Sequence, residues 1–167
     1  MNNIDENDGY ILGCQSKSGQ CHYRCCDQSK ITSDDFCQEN AILLYPGEWE
    51  AEKNKSKKHI TISDDQFYSG KLGYCDKDNF DQSKCNPLLN FKPLDCKSYP
   101  FFPIIVDGKI KLTIDSARCP LSENIEELRQ HFRVILSEWI EITENNELVR
   151  SWIKNINLTG YKIVDNL

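Results

Sequence analysis

No stretch of this chain approaches the roughly 18 consecutive apolar residues that a membrane-crossing helix requires. Its longest apolar runs, around Ile42 and Ile104, last only a few residues. No membrane partner is expected. The segment Met1-Asn2-Asn3-Ile4-Asp5-Glu6-Asn7-Asp8 lacks the basic start and apolar run of a secretory signal, so the expected compartment is the cytoplasm. Basic charge is short too: 20 Lys and Arg stand against 26 Asp and Glu, for a net charge of −6. A phosphate-binding surface needs clustered cations, so nucleic acid is disfavoured as a partner. The one basic run, Lys53 to His59, reads as a solvated loop or helix end. Internal repeats and low-complexity tracts are absent as well. What remains is ordinary for a folded protein, with 39% hydrophobic residues, 7 Phe, 7 Tyr and 3 Trp to build a core.

Cysteine is the exception, with nine in 167 residues. An odd count without an export signal is better explained by metal ligation in a reducing compartment than by a disulfide framework. Cys14, Cys21 and the pair Cys25-Cys26 come first; Cys75, Cys85, Cys96 and Cys119 follow. Thiolates are soft ligands that suit zinc and iron–sulfur clusters, and four complete a tetrahedral shell or hold a four-iron cluster. Eight cysteines therefore suffice for two four-ligand centres. Neighbouring side chains in extended backbone point apart, so Cys25 and Cys26 serve different metals unless the peptide folds sharply or one thiolate bridges.

Several familiar patterns are missing. No Cys-x2-Cys knuckle of a zinc finger or ribbon occurs, nor does the ferredoxin run of three cysteines at two-residue gaps. Cys21-x3-Cys25 would open a radical S-adenosylmethionine motif only with a cysteine at position 28, which is Gln28. Cys37 reads as a core or supporting cysteine. His22, inside the first cluster, is a candidate ligand or a hydrogen-bond donor to sulfur.

The early cluster, followed by Lys92-Pro93-Leu94-Asp95-Cys96-Lys97-Ser98-Tyr99-Pro100-Phe101, resembles the YkgJ-type cysteine-cluster family, described as a zinc- or iron-chelating domain. Lys92-Pro93 stands for that family's Arg-Pro, Cys96-Lys97 for its Cys-Arg, and Tyr99-Pro100 matches directly. Tyr45-Pro46-Gly47-Glu48 is similar to the Pro-Glu segment that follows the family's cluster. The resemblance spans about Cys14 to Leu121, although the opening gaps are six and three residues where the family has two and two. It implies metal bound through Cys14, Cys21, Cys25, Cys26, Cys75, Cys85, Cys96 and Cys119, as an iron–sulfur cluster or zinc, with a structural or redox role. The same family is similar to the cysteine-rich part of flagellin lysine N-methylase, which leaves a cluster-dependent protein-modifying enzyme as an alternative. This chain shows no glycine-rich nucleotide loop after a strand to hold a methyl donor. A zinc-stabilised adaptor that binds a protein partner through a helical face is a third reading.

The expected fold is α+β: one domain over residues 1–167, with a cysteine-cluster region over 10–121 and a helical part over 122–167. Ala41 to Tyr45 reads as an extended piece feeding a helix that opens at Pro46. His59 to Ser63 alternates as a strand does. Phe102 to Ile114, turning at Asp107-Gly108, has the pattern of a hairpin in the same short antiparallel sheet. Cys75, Cys85 and Cys96 are expected in loops, because Gly73, Pro87, Pro93 and Pro100 surround them. Ser122 caps an amphipathic helix through Ile125, Leu128, Phe132, Ile135, Trp139 and Ile142. Leu148, Val149, Trp152, Ile153 and Ile156 give a second, which Gly160 ends before an extended Tyr161 to Val164. His131 is expected on the solvated side of the first helix. The pair Asp64-Asp65 reads as turn residues. Glu48, Tyr99 and Arg118 are candidates to support the metal segment.

Overall fold

The computed structural model describes residues 41–75, 90–165 and 167. Among them the architecture is α+β, with two antiparallel three-stranded sheets where the sequence suggests one. Strands β1 (Ile42–Leu44), β2 (Ile60–Phe67) and β3 (Gly70–Cys75) form the first, in the order β1-β3-β2. Strands β4 (Phe101–Val106), β5 (Lys109–Asp115) and β6 (Tyr161–Val164) form the second, in the order β4-β5-β6. Separate sheets arise because β3, a strand absent from the sequence reading, claims both β1 and β2 as partners, while the 101–115 hairpin takes its third strand from the far end of the chain.

The second sheet follows its local chemistry closely. Asp107 and Gly108 both have positive φ, 50° and 75°, which closes the two-residue turn and sets Val106 opposite Lys109. Leu112, Thr113, Ile114 and Asp115 are buried in succession, the mark of a central strand covered on both faces. Thr113 satisfies its hydroxyl there by donating to the Phe102 carbonyl at 2.9 Å. Gly160, at φ 81°, supplies the left-handed turn into β6.

Four α-helices occur among the described residues: α1 (Glu48–Ala51), α2 (Leu94–Ser98), α3 (Arg129–Glu144) and α4 (Glu147–Asn155). The helix expected from Ser122 begins later, because Pro120–Leu128 winds as a 3₁₀ segment broken at Asn124, whose φ and ψ are −127° and 56°. From Arg129 onward Phe132, Ile135, Trp139 and Thr143 turn inward at three- and four-residue intervals. Asn146 caps α4 by accepting from the Leu148 and Val149 amides. Leu148 departs from the expected apolar face and is exposed, since it sits in the first turn beside that cap. No described helix is long and apolar enough to cross a membrane.

Helices α3 and α4 pack over β4 and β5, and around them forms the larger core, centred on Trp139, Trp152 and Phe102, none more than 2% exposed. A smaller cluster of Ile42, Leu44, Ile60 and Phe91 lies on the opposite face of β1. Alternation along β1 makes the division: Leu43, paired with Leu72, belongs to the larger core, and its two neighbours point the other way. Other local expectations shift. Pro46 precedes the first helix instead of opening it, because Gly47 at φ 84° is the cap and Glu48 the first helical residue. Asp64 and Asp65 lie inside β2, where its register with β3 breaks between Ile62 and Gln66, not in a turn.

Candidate metal centre

Of the eight predicted ligands, Cys14, Cys21, Cys25, Cys26 and Cys85 lie outside the described residues, as do Cys37 and His22. Of the other three, Cys75 and Cys96 occupy regular structure, not the loops expected of them, and Cys119 lies in irregular backbone just before the 3₁₀ segment. Cys75 is the last residue of β3, paired with Ile60, and Cys96 is the middle residue of α2. Both pack against the smaller cluster, Cys75 from the strand side and Cys96 from the helix side, so residues 21 positions apart in sequence meet one apolar patch. Cys119 is elsewhere: it is 6% exposed, belongs to the larger core, and its amide donates to the Asp115 carbonyl at 3.3 Å. Among the described residues no three His, Cys, Asp or Glu side chains converge as a metal site.

The helix that carries Cys96 is held from every side. At its start, Glu48 Oε1 accepts from the Leu94 amide at 2.6 Å while Glu48 Oε2 accepts from the Tyr45 amide at 3.1 Å. In the reverse direction Asp95 Oδ2 accepts from the Leu43 amide at 2.8 Å. That bond occupies an outer-edge amide of β1, an edge strand, and so closes a position open to strand pairing. The segments Leu43 to Glu48 and Lys92 to Phe101, remote in sequence, are thus bolted together by exchanged side-chain-to-backbone bonds. At the other end of α2, Trp139 Nε1 donates to Ser98 Oγ at 2.9 Å, and His131 Nε2 lies 3.1 Å from the Tyr99 carbonyl oxygen.

His131 therefore corrects the sequence reading: it is 3% exposed, not solvated. It sits in the first turn of α3 beside Phe101, with ring centroids 5.7 Å apart, because the late helix start turns this position toward β4. Burial lowers its pKa from the ordinary histidine value, against the opposing effect of the Tyr99 and Ser98 backbone. Among the described residues its Nδ1 atom has no hydrogen-bond partner.

Two acids, the buried Asp115 and the half-buried Asp95, escaped the sequence reading. Asp115, 0% exposed, accepts from Arg118 Nε at 2.8 Å, from the Arg118 amide at 3.1 Å and from the Tyr99 hydroxyl at 3.1 Å. Tyr99 and Arg118, expected to support sulfur, hold this carboxylate. Asp95, next to Cys96, is pushed up to about 7 by burial, with the Leu43 amide and Arg118 pulling the other way. Glu48 is pushed up to about 8 by burial, only partly relieved by its two amide donors. The available signal was Asp95 inside the Lys92 to Phe101 motif; Asp115 offered none, since it reads as the polar end of a strand.

Comparison with family models, with curated proteins and with solved structures yields no match for this chain.

Proposed function

We propose that the chain is a metal-binding cysteine-cluster protein, holding an iron–sulfur cluster or zinc through Cys14, Cys21, Cys25, Cys26, Cys75, Cys85, Cys96 and Cys119. The observation that carries the reading is the approach of Cys75 and Cys96 to one small apolar cluster. Two thiolates are half of a four-ligand shell, and the remaining donors would come from cysteines outside the described residues. An apolar shell around thiolates also excludes water, a setting that tunes a metal centre.

The pinning of α2 by Glu48, Asp95, Trp139 and His131 supports the same reading, because a ligand fixed before the metal arrives costs less entropy to bind. Purification without oxygen, followed by metal and sulfide analysis and an absorption spectrum, is the test. Iron with matching sulfide and broad visible absorbance identifies a cluster; zinc in a colourless protein identifies the other metal. Cys75→Ser and Cys96→Ser each lower the metal content, and a wild-type protein free of both metals refutes the proposal.

A further inference from the structure

The edge strands of the two sheets are β1, β2, β4 and β6. An open edge is a row of unpaired amides and carbonyls that a further strand can join, and folds that stay single blunt such edges. In β1 the outward Leu43 amide is taken by Asp95 Oδ2 at 2.8 Å. In β2 the register breaks between Ile62 and Gln66, beside the exposed Asp64. In β4 the Pro100 carbonyl accepts from the Asp115 amide at 2.9 Å, so every second residue from Pro100 faces β5. Pro103 therefore falls at an outward position, where it has no N–H to offer.

Strand β6 lacks these devices. The Gly160 carbonyl accepts from the Ser116 amide at 3.0 Å, which fixes the alternation. Gly160, Lys162 and Val164 turn their backbone groups to β5, while Tyr161, Ile163 and Asp165 turn theirs outward. The Lys111–Asp165 ion pair, at 3.4 Å, carries the alignment with β5 to the last of these. Among the described residues no backbone group bonds to the outward ones. The Ile163 side chain, 50% exposed, lies on the same edge. Tyr68 and Leu148, the other large apolar side chains exposed among the described residues, sit in the β2–β3 turn and beside the α4 cap.

The pattern along β6 is complementary to itself. Two copies related by a two-fold axis perpendicular to the sheet run antiparallel, and each outward residue must meet another outward residue. With the axis at Ile163, that residue meets Ile163 of the partner subunit, Tyr161 meets Asp165 of the partner subunit, and Lys162 meets Val164 of the partner subunit. An axis at Lys162 would set this lysine against Lys162 of the partner subunit, and like charges directly opposite are destabilising. An axis at Val164 would set Ile163 against Asp165 of the partner subunit, an apolar side chain against a carboxylate that needs water. The one charged side chain within the strand thus selects a register in which the exposed isoleucines cover each other.

We propose that β6 pairs antiparallel with β6 of a second copy across a two-fold axis at Ile163, joining the two β4-β5-β6 sheets into one. The strand is short, so the dimer is weak and its population rises with concentration. This surface does not depend on the metal reading.

Analytical ultracentrifugation of the full chain in reductant, from about 10 µM to about 1 mM, tests it. The average mass rises from one chain toward two, and hydrogen exchange at the Ile163 amide slows over the same range, because that amide gains its acceptor in the dimer. Ile163→Lys sets two ammonium groups face to face at the axis and weakens association by about tenfold or more, with the circular dichroism spectrum unchanged. Exchange is read on the unaltered protein, so it decides even if the variant misfolds. A protein that stays monomeric throughout the range overturns the proposal, even if the edge accepts an added extended peptide. So does a dimer whose Ile163 amide exchanges as freely as the monomer's, or a folded Ile163→Lys variant that associates as tightly as the wild type.

Discussion

The two faces of β1 look onto unlike interiors. Among the described residues, Leu43 on one side joins a core of eighteen buried residues that includes the tryptophans of α3 and α4, while on the other Ile42 and Leu44 join a cluster of four, bordered by Cys75 and Cys96. Burying one large apolar side chain contributes about 1.5–3 kcal/mol, and ordering each residue's backbone costs about 1–2 kcal/mol. The larger core can carry the fold on such terms. The four described residues of the smaller cluster contribute less on such terms, and a metal bound at its cysteines would add stability there. Cys75 and Cys96 thus lie across one strand from the larger core, which itself holds Cys119.

The severest challenge to that division is Trp139→Ala. It removes ring contacts to Tyr45 and Phe102 and strands the Ser98 hydroxyl, so urea unfolding should show a loss of about 3–5 kcal/mol. A loss under about 1 kcal/mol would mean that the larger core is not the support of the fold. Next comes Gly70→Ala at the seam between β3 and α4. A methyl there would lie 2.3 Å from the Leu44 carbonyl oxygen and 2.6 Å from Trp152 Nε1, and overpacking of that kind costs about 1–3 kcal/mol.

Glu48 sharpens the comparison through pH. Its carboxyl titrates near 8 in the fold against about 4.5 in an unstrained setting, so the folded state retains a proton that the unfolded chain releases. Its contribution to stability is complete below about 4.5 and is lost as pH rises toward 8. Stability measured by urea at pH 5 and pH 8 should therefore fall more in the wild type than in Glu48→Gln; parallel slopes would show that this carboxyl is not held in its protonated form. The smallest effect belongs to Asn146→Ala, which removes the cap accepting from the Leu148 and Val149 amides, worth about 1 kcal/mol. Its metal content, measured beside that of Cys96→Ser, should equal the wild type's, since the buried residues of α4 belong to the larger core.

The legible parts of this protein are those whose causes are local. Asp107-Gly108 declares its turn because few residues tolerate positive φ. Val149, Trp152 and Ile153 declare α4 because helical spacing puts them on one face, and Gly160 declares its end. The α+β class and the strand at Tyr161 followed from the same short-range rules. The candidate site was legible only as a list of cysteines and a motif around Cys96. That β3 pairs with β1, that Glu48 and Asp95 exchange bonds between remote segments, and that His131 turns inward depend on partners 27 to 52 positions away. Thiol chemistry and turn chemistry are properties of single residues and near neighbours, so the sequence alone determines them. Burial and the bonding of buried acids belong to pairs brought together by packing, and only the tertiary structure decides those.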